Sequence, residues 1–112
     1  MLPKPQRLNL KKDFKWVASG KKIDSKYTKL FIRIGDNQFP RIGIATSSSL
    51  FKKATERSRA RRVISAALEQ LYSKLPQSIN IVALPKIGVL KVQSQDVLSD
   101  LEKVLRNEKF IT

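Results

Sequence analysis

The feature that most constrains this chain is a helix that cannot be buried along its whole length. At 100° per residue Ala60, Ile64, Ala67, Leu68, Leu71 and Leu75 share one sector about as wide as a core-facing stripe, and Pro76 ends the run. Directly ahead of that stripe stand Lys52, Lys53, Arg57, Arg59, Arg61 and Arg62, with Glu56 as their lone acid. At helical spacing Lys53, Arg57 and Arg61 project near the sector of the stripe, while Lys52, Arg59 and Arg62 point the other way. Charges on a buried face carry a heavy desolvation cost. A helix that begins at Lys53 or Arg57 must therefore overhang whatever it packs on, or start non-helically, and leave cations open on more than one side. A merely solvated basic face normally carries Glu four residues on, and here Glu56 is the one available.

The flanking segments supply what this helix packs on. Residues 1 to 8, with two prolines and Arg7, read as an extended basic arm. After Asn9, a fitting N-cap, Leu10, Phe14 and Val17 fall on one face of a short helix ending at Gly20, with Trp16 off that face. From Tyr27 to Ile34 the period drops to two. Leu30, Ile32 and Ile34 take one side, and Tyr27, Lys29, Phe31 and Arg33 take the other. A plain half-buried strand would show Thr, Ser, Glu or Lys to water; this one interleaves aromatics with cations. Gly35-Asp36-Asn37 is a turn, and after Pro40 the alternation resumes with Ile42 and Ile44 inward and Arg41, Gly43, Ala45 and Ser47 opposite. The expectation is a pair of adjacent antiparallel strands with one apolar face and one basic, aromatic and small. Ile79 to Leu84 suits a central strand, and Ser94 is placed to cap a last helix with Val97, Leu98, Leu101, Val104 and Leu105 in its stripe. Helix, strand, strand, helix, strand, helix predicts an α/β layer sandwich with a mixed sheet, in one domain over residues 1–112.

Composition narrows the function. Among 112 residues, 23 Lys and Arg oppose 9 Asp and Glu, a formal charge of +14, and Cys and His are absent. Zinc sites of the usual kind, thiol nucleophiles, disulfides and an imidazole base are thereby excluded. Asp13, Asp24, Asp36, Asp96 and Asp100 are scattered among expected caps and turns, so no carboxylate cluster for metal-dependent hydrolysis is foreseen, nor is a small-molecule substrate. No apolar run nears the ~20 residues that span a bilayer and no secretory signal opens the chain, which predicts a cytoplasmic protein without a membrane partner. So much positive charge on so small a body is destabilising unless a polyanion screens it, and nucleic acid is the commonest such partner. Arginine suits RNA in particular, since its guanidinium takes two phosphate oxygens at once and stacks on bases.

At these residues the sequence resembles the protein subunit of bacterial ribonuclease P. Arg41-Ile42-Gly43-Ile44 followed by Lys52-Lys53-Ala54-Thr55-Glu56-Arg57-Ser58-Arg59-Ala60-Arg61-Arg62 is similar to that family's strand and Arg-Asn-Arg helix motif. Arg7-Leu8, then Asp13-Phe14 and Val17 with Gly20, resemble its N-terminal signature. The departures are Ser58 for the motif's Asn, Ala18 for a second aromatic, and Ser48-Ser49 for a lysine pair.

The resemblance implies an α+β, ribosomal protein S5 domain 2-like fold. It would have a mixed four-stranded sheet, about three helices and a left-handed βαβ crossover, against the general right-handed preference. It also implies a role: assisting a catalytic RNA that removes the 5′ leader of precursor tRNA. The partners would be ribonuclease P RNA and precursor tRNA. The protein itself would bind no cofactor and catalyse nothing, and the RNA subunit would use Mg2+. RNA-subunit contacts are then expected at Lys52, Lys53, Arg57, Ser58, Arg59, Arg61, Arg62, Arg41 and Arg7. The leader is expected at Phe14, Phe31 and Ser47, with Trp16, Tyr27, Lys29 and Arg33 as neighbours. The competing readings are a ribosome-associated or general RNA-binding module, and a DNA-binding protein with the basic helix in a major groove.

Overall fold

The computed structural model describes residues 2–111. Its elements are α1 (Leu10–Ala18), β1 (Lys21–Asp24), β2 (Thr28–Ile34), β3 (Arg41–Ile44), α2 (Ala54–Leu71), β4 (Ile79–Pro85) and α3 (Ser94–Asn107), with short 3-10 turns at Lys4–Gln6, Tyr72–Lys74 and Ile87–Lys91. The four strands form one mixed sheet in the order β1-β2-β4-β3. β4 runs antiparallel to β2, with Phe31 opposite Val82, and parallel to β3, with Gly43 opposite Val82.

The alternation along β4 divides the molecule into two cores. Ile79, Ile81 and Ala83 face α2 and α3, joining Ile32, Ile42, Phe51, Ile64, Leu68, Leu71, Leu101 and Leu105 in the main core. Val82 faces the other way and, with Leu8 and Val17, makes a smaller core against which Leu10, Phe14, Phe31 and Leu84 pack. The α2 stripe lands where its periodicity places it, with Ala60, Ile64, Ala67, Leu68 and Leu71 buried, but the helix ends at Leu71 and not at Leu75, which is buried from an extended backbone just past the Tyr72–Lys74 turn. Asn9 caps α1, its side-chain oxygen accepting from Lys12 N at 3.3 Å.

Five further expectations need correction. β2 and β3 are antiparallel but not adjacent, because the almost wholly apolar β4 takes the centre, where both faces are covered. β1 has no signal in the alternation, since Ile23 is its one buried residue. Ile34, the last residue of β2, is 54% exposed and lies beyond the pairing with β1, which begins at Lys21 opposite Ile32. Gln93, not Ser94, is the N-cap of α3, and its backbone N–H is taken by Asp96 Oδ2 at 3.0 Å. The arm is not simply extended: it makes a 3-10 turn, anchors Leu2 in the main core and Leu8 in the smaller one, and bridges Arg7 to Ile42 on the outer edge of β3. No helix among the described residues is long and apolar enough to cross a membrane.

Candidate nucleic-acid interface

α2 and α3 cover one face of the sheet, and α1 covers only part of the other. What lets α1 sit so close is Gly43. A Cβ there would stand 2.6 Å from Leu10 Cδ2 and 3.3 Å from Leu8 Cβ, so only hydrogen fits beneath the helix and the arm. With Leu10, Phe14 and Val17 turned to the sheet, α1 brings Phe14 against Phe31 of β2, edge to face at 6.5 Å between centroids and 67° between planes. Both rings are half-buried.

Beyond this pair the face stays open. Two residue pairs along, on the same face, Lys29 stands opposite Leu84. These two line a cavity of about 250 Å³ together with Ala45, Ser47, Leu50 and Lys86. The structure thus groups Phe14 with Phe31, and Lys29 with Ser47, at neighbouring places on one face of the sheet. Sequence reasoning missed Lys86, Leu50 and Leu84 as lining residues. Lys86 signals itself only as a cation following the central strand. Its ammonium group donates to Ser25 O at 2.6 Å and pairs with Asp24 at 2.6 Å, and that hydrogen bond holds the Asp24 carboxyl below its usual range.

Trp16 and Arg33 lie at the opposite end of the face. The Arg33 guanidinium stacks over the indole at 5.2 Å while donating to Ser19 Oγ at 2.6 Å. Tyr27 departs from the expected grouping. It precedes β2, and its ring packs on the main core, held from α3 by Asp100 Oδ2, which accepts from Tyr27 N at 3.0 Å.

The basic start of α2 is helical from Ala54 and fans into two flanks. On the flank toward β3, Arg57 donates to Phe51 O at 2.7 Å and Arg61 to Thr46 Oγ1 at 3.1 Å, with Arg7 and Arg61 lining one small cavity beside Ile42. On the flank toward α3, Arg59 donates to Leu90 O and Val92 O, and Arg62 stands beside it in a cavity shared with Gln93 and Ser94. Lys52, Lys53, Ser58 and Arg62 are exposed, and no side-chain hydrogen bond restrains them among the described residues. Arg41 lies at the far end of the sheet, over the Phe39 ring at 5.8 Å. Of the three cations that sequence pattern placed near the buried sector, Arg57 and Arg61 are half-buried and satisfied by loop carbonyls and a hydroxyl rather than by acids, while Lys53, ahead of the first turn, is exposed.

The fold and this face define a class: a small, strongly basic α+β protein with a half-covered sheet, one aromatic and cationic groove, and a guanidinium-rich helix start beside it. The family model described as Ribonuclease P matches residues 2–109. Similar proteins include the ribonuclease P protein component of Pseudanabaena sp., 33% identical and covering 99% of this chain and 97% of its own length, and that of Legionella pneumophila, 30% identical over 89% and 86%. Among solved structures, the RNase P protein of Thermotoga maritima, in complex with a thiourea compound, superposes with a TM-score of 0.78 at 25% identity over 89% of this chain and 97% of that one. The Staphylococcus aureus RNase P protein gives 0.79 at 18% identity over 96% and 98%, a likeness of fold. The chain belongs to the family of ribonuclease P protein components. As such it is part of an endoribonuclease holoenzyme of tRNA processing whose partner is ribonuclease P RNA.

Proposed function

We propose that this chain binds the ribonuclease P RNA through the start of α2 and holds the 5′ leader of precursor tRNA in the groove between α1 and the open sheet face. In doing so it promotes magnesium-dependent endonucleolytic removal of the leader. The observation that carries this reading is the Phe14–Phe31 pair opening onto Lys29 and Ser47. A single strand needs π-faces for its bases and separate cations for its phosphates, at the spacing an extended chain provides.

The chain's own work is positioning and charge screening. Among the described residues no three His, Cys, Asp or Glu side chains gather to hold a metal ion, so we assign the hydrolysis and its Mg2+ to the RNA subunit. There the ion would activate the nucleophile and stabilise phosphate charge. Lys52, Lys53, Ser58 and Arg62 reach outward for RNA phosphates, while Arg57, Arg59 and Arg61 present guanidinium edges fixed by their loop partners. The cytoplasm, where precursor tRNA is made in bacteria, is the matching compartment.

The test is cleavage of a leader-bearing precursor tRNA by the cognate ribonuclease P RNA at low magnesium, with and without this protein. Strong stimulation yielding the mature 5′ end, with no cutting by the protein alone, is expected. Tight RNA binding without stimulation would replace this reading with that of a general RNA-binding module.

A further inference from the structure

The end of the open face away from Lys29 and Ser47 holds a second cavity, about 480 Å³, lined by Asp13, Trp16, Asp36, Phe39, Arg41 and Asn80 among others. Two features set it apart. Its walls are aromatic and reachable, Trp16 being 40% exposed and Phe39 38%, and each carries a guanidinium on its ring: Arg33 at 5.2 Å and Arg41 at 5.8 Å. Its charge is also unlike the rest of the surface. Asp24 pairs with Lys86, Glu102 with Arg106 and Glu108 with Lys21; Glu56, Asp96 and Asp100 accept backbone N–H groups, and Glu69 has an interaction of its own. Of the nine carboxylates, Asp13 and Asp36 make no hydrogen bond or ion pair among the described residues, and both face this cavity.

The frame around it is set. Asn80 Nδ2 donates to Asn37 Oδ1 at 2.9 Å and to Arg33 O at 3.2 Å, and Asn37 Nδ2 donates to Phe39 O at 2.8 Å. The Trp16 ring lies against Gly35, where a Cβ would stand 2.9 Å from it.

The two carboxylates outnumber Arg41, the one cation of the lining, and Arg41 lies over the Phe39 ring, so the interior disfavours the backbone of a nucleic acid. A cationic guest is disfavoured by the net charge of +14 and by the guanidinium already on each ring. A neutral planar group with paired N–H donors on one edge satisfies both the rings and the carboxylates, which are acceptors only. Among the bases, guanine presents such an edge, with N1–H beside N2–H2, while Arg33 and Arg41 are placed for the flanking phosphates. We propose that this cavity binds one unpaired nucleobase of single-stranded RNA, guanine before the others. The proposal rests on the reading of the open face as a path for single-stranded RNA, and adds a base-selective position at its far end.

Trp16 is the only tryptophan of the chain, so its fluorescence reports this cavity directly. The full chain is titrated with uridine hexamers carrying one central G, one central A or neither. The G-containing strand is expected to quench Trp16 at a concentration about five- to tenfold lower than the others, the discrimination of one good bidentate contact. Asp36→Asn, a change on an exposed side chain without partners, is expected to abolish that preference while leaving quenching by the U strand in place. Equal midpoints for the three strands, an unaltered preference in Asp36→Asn, or quenching by an arginine-rich peptide but by none of the RNAs would each overturn it. The Phe31→Ala protein separates the two readings. If the guanine preference persists there while leader discrimination is lost, both stand. If leader discrimination is lost but Trp16 responds to no strand, the proposed function stands and this inference falls.

Discussion

Phe31→Ala offers the sharpest test of the groove. The ring is half-buried, with one edge against Phe14 at 6.5 Å and its surroundings opening toward Lys29 and Leu84. Stacking of a base on such a ring contributes ~1–3 kcal/mol, which converts to about a 5- to 150-fold weaker Kd for precursor tRNA on truncation. The substitution also removes atoms from the small core of Leu8, Val17 and Val82. A partly buried Phe costs less there than the ~3–5 kcal/mol of a fully buried one. Affinity alone would confuse the two effects, whereas a ratio does not, because loss of folded protein weakens every RNA ligand equally. The assay is therefore equilibrium binding of the reconstituted holoenzyme to precursor and to mature tRNA in the same buffer. The ratio of the two Kd values is expected to collapse toward one. Phe31→Leu, which keeps the apolar packing but no π-face, is expected to lose most of the ratio while unfolding near the wild-type denaturant midpoint. Equal weakening of both substrates, or a full ratio in Phe31→Leu, would refute the stacking role.

Arg62→Ala and Arg57→Ala should separate binding from folding: the first removes a cation with no intramolecular bond and is expected to reduce the log–log salt slope of RNA binding by about 0.7–0.9 with no change in Tm. Arg57→Ala also releases the Phe51 carbonyl and is expected to lower Tm as well, both read by filter binding and thermal unfolding. Gly43→Ala forces a Cβ into Leu10 and Leu8 and should cost about 1–3 kcal/mol in denaturant unfolding, since two pinned elements must move. Burial raises the pKa of Tyr72, whose hydroxyl donates to Pro40 O at 2.7 Å. The folded state thus holds that proton more tightly than the unfolded one. The stabilisation is complete below pH ~10 and is lost as pH rises through the folded-state value. Wild type is expected to exceed Tyr72→Phe by about 0.5–1.5 kcal/mol near neutrality, the difference shrinking in urea melts taken toward pH ~11.

The helices were the legible part of the sequence because each carries a complete stripe at the 3.6 period. Phe14 and Phe31 were legible as well, one from its helix face and the other from its place between Lys29 and Arg33. What pattern does not encode is which strand lies beside which. β2 and β3 each show one apolar face, and nothing in their alternation says that β4 comes between them; only the two-sided burial of Ile79 to Pro85 does. Tyr27 fell on the wrong side because strand parity was extended one residue past Thr28, where the carbonyl still accepts from Lys86 N but the N–H turns away to Asp100. The cavity at Trp16 was out of reach for a different reason: Asp13, Asp36 and Phe39 come from a helix and a turn and meet only once the sheet has formed.

The central position of β4 also dictates when this protein can exist during its own synthesis. Neither β2 nor β3 has the other as a neighbour, and each completes its ladder on residues 79–85. A nascent chain shorter than that can form α2 and the β1–β2 hairpin and so offers Phe31 to α1, but it lacks Val82, which with Leu8 and Val17 makes the small core under that helix. The groove therefore assembles late, in one cooperative step that closes contacts 39 or more residues apart, as Gly43 meets Val82 only after the whole of α2 has been made. Until that step the arginines of the emerging helix are displayed without the fold that gives them direction.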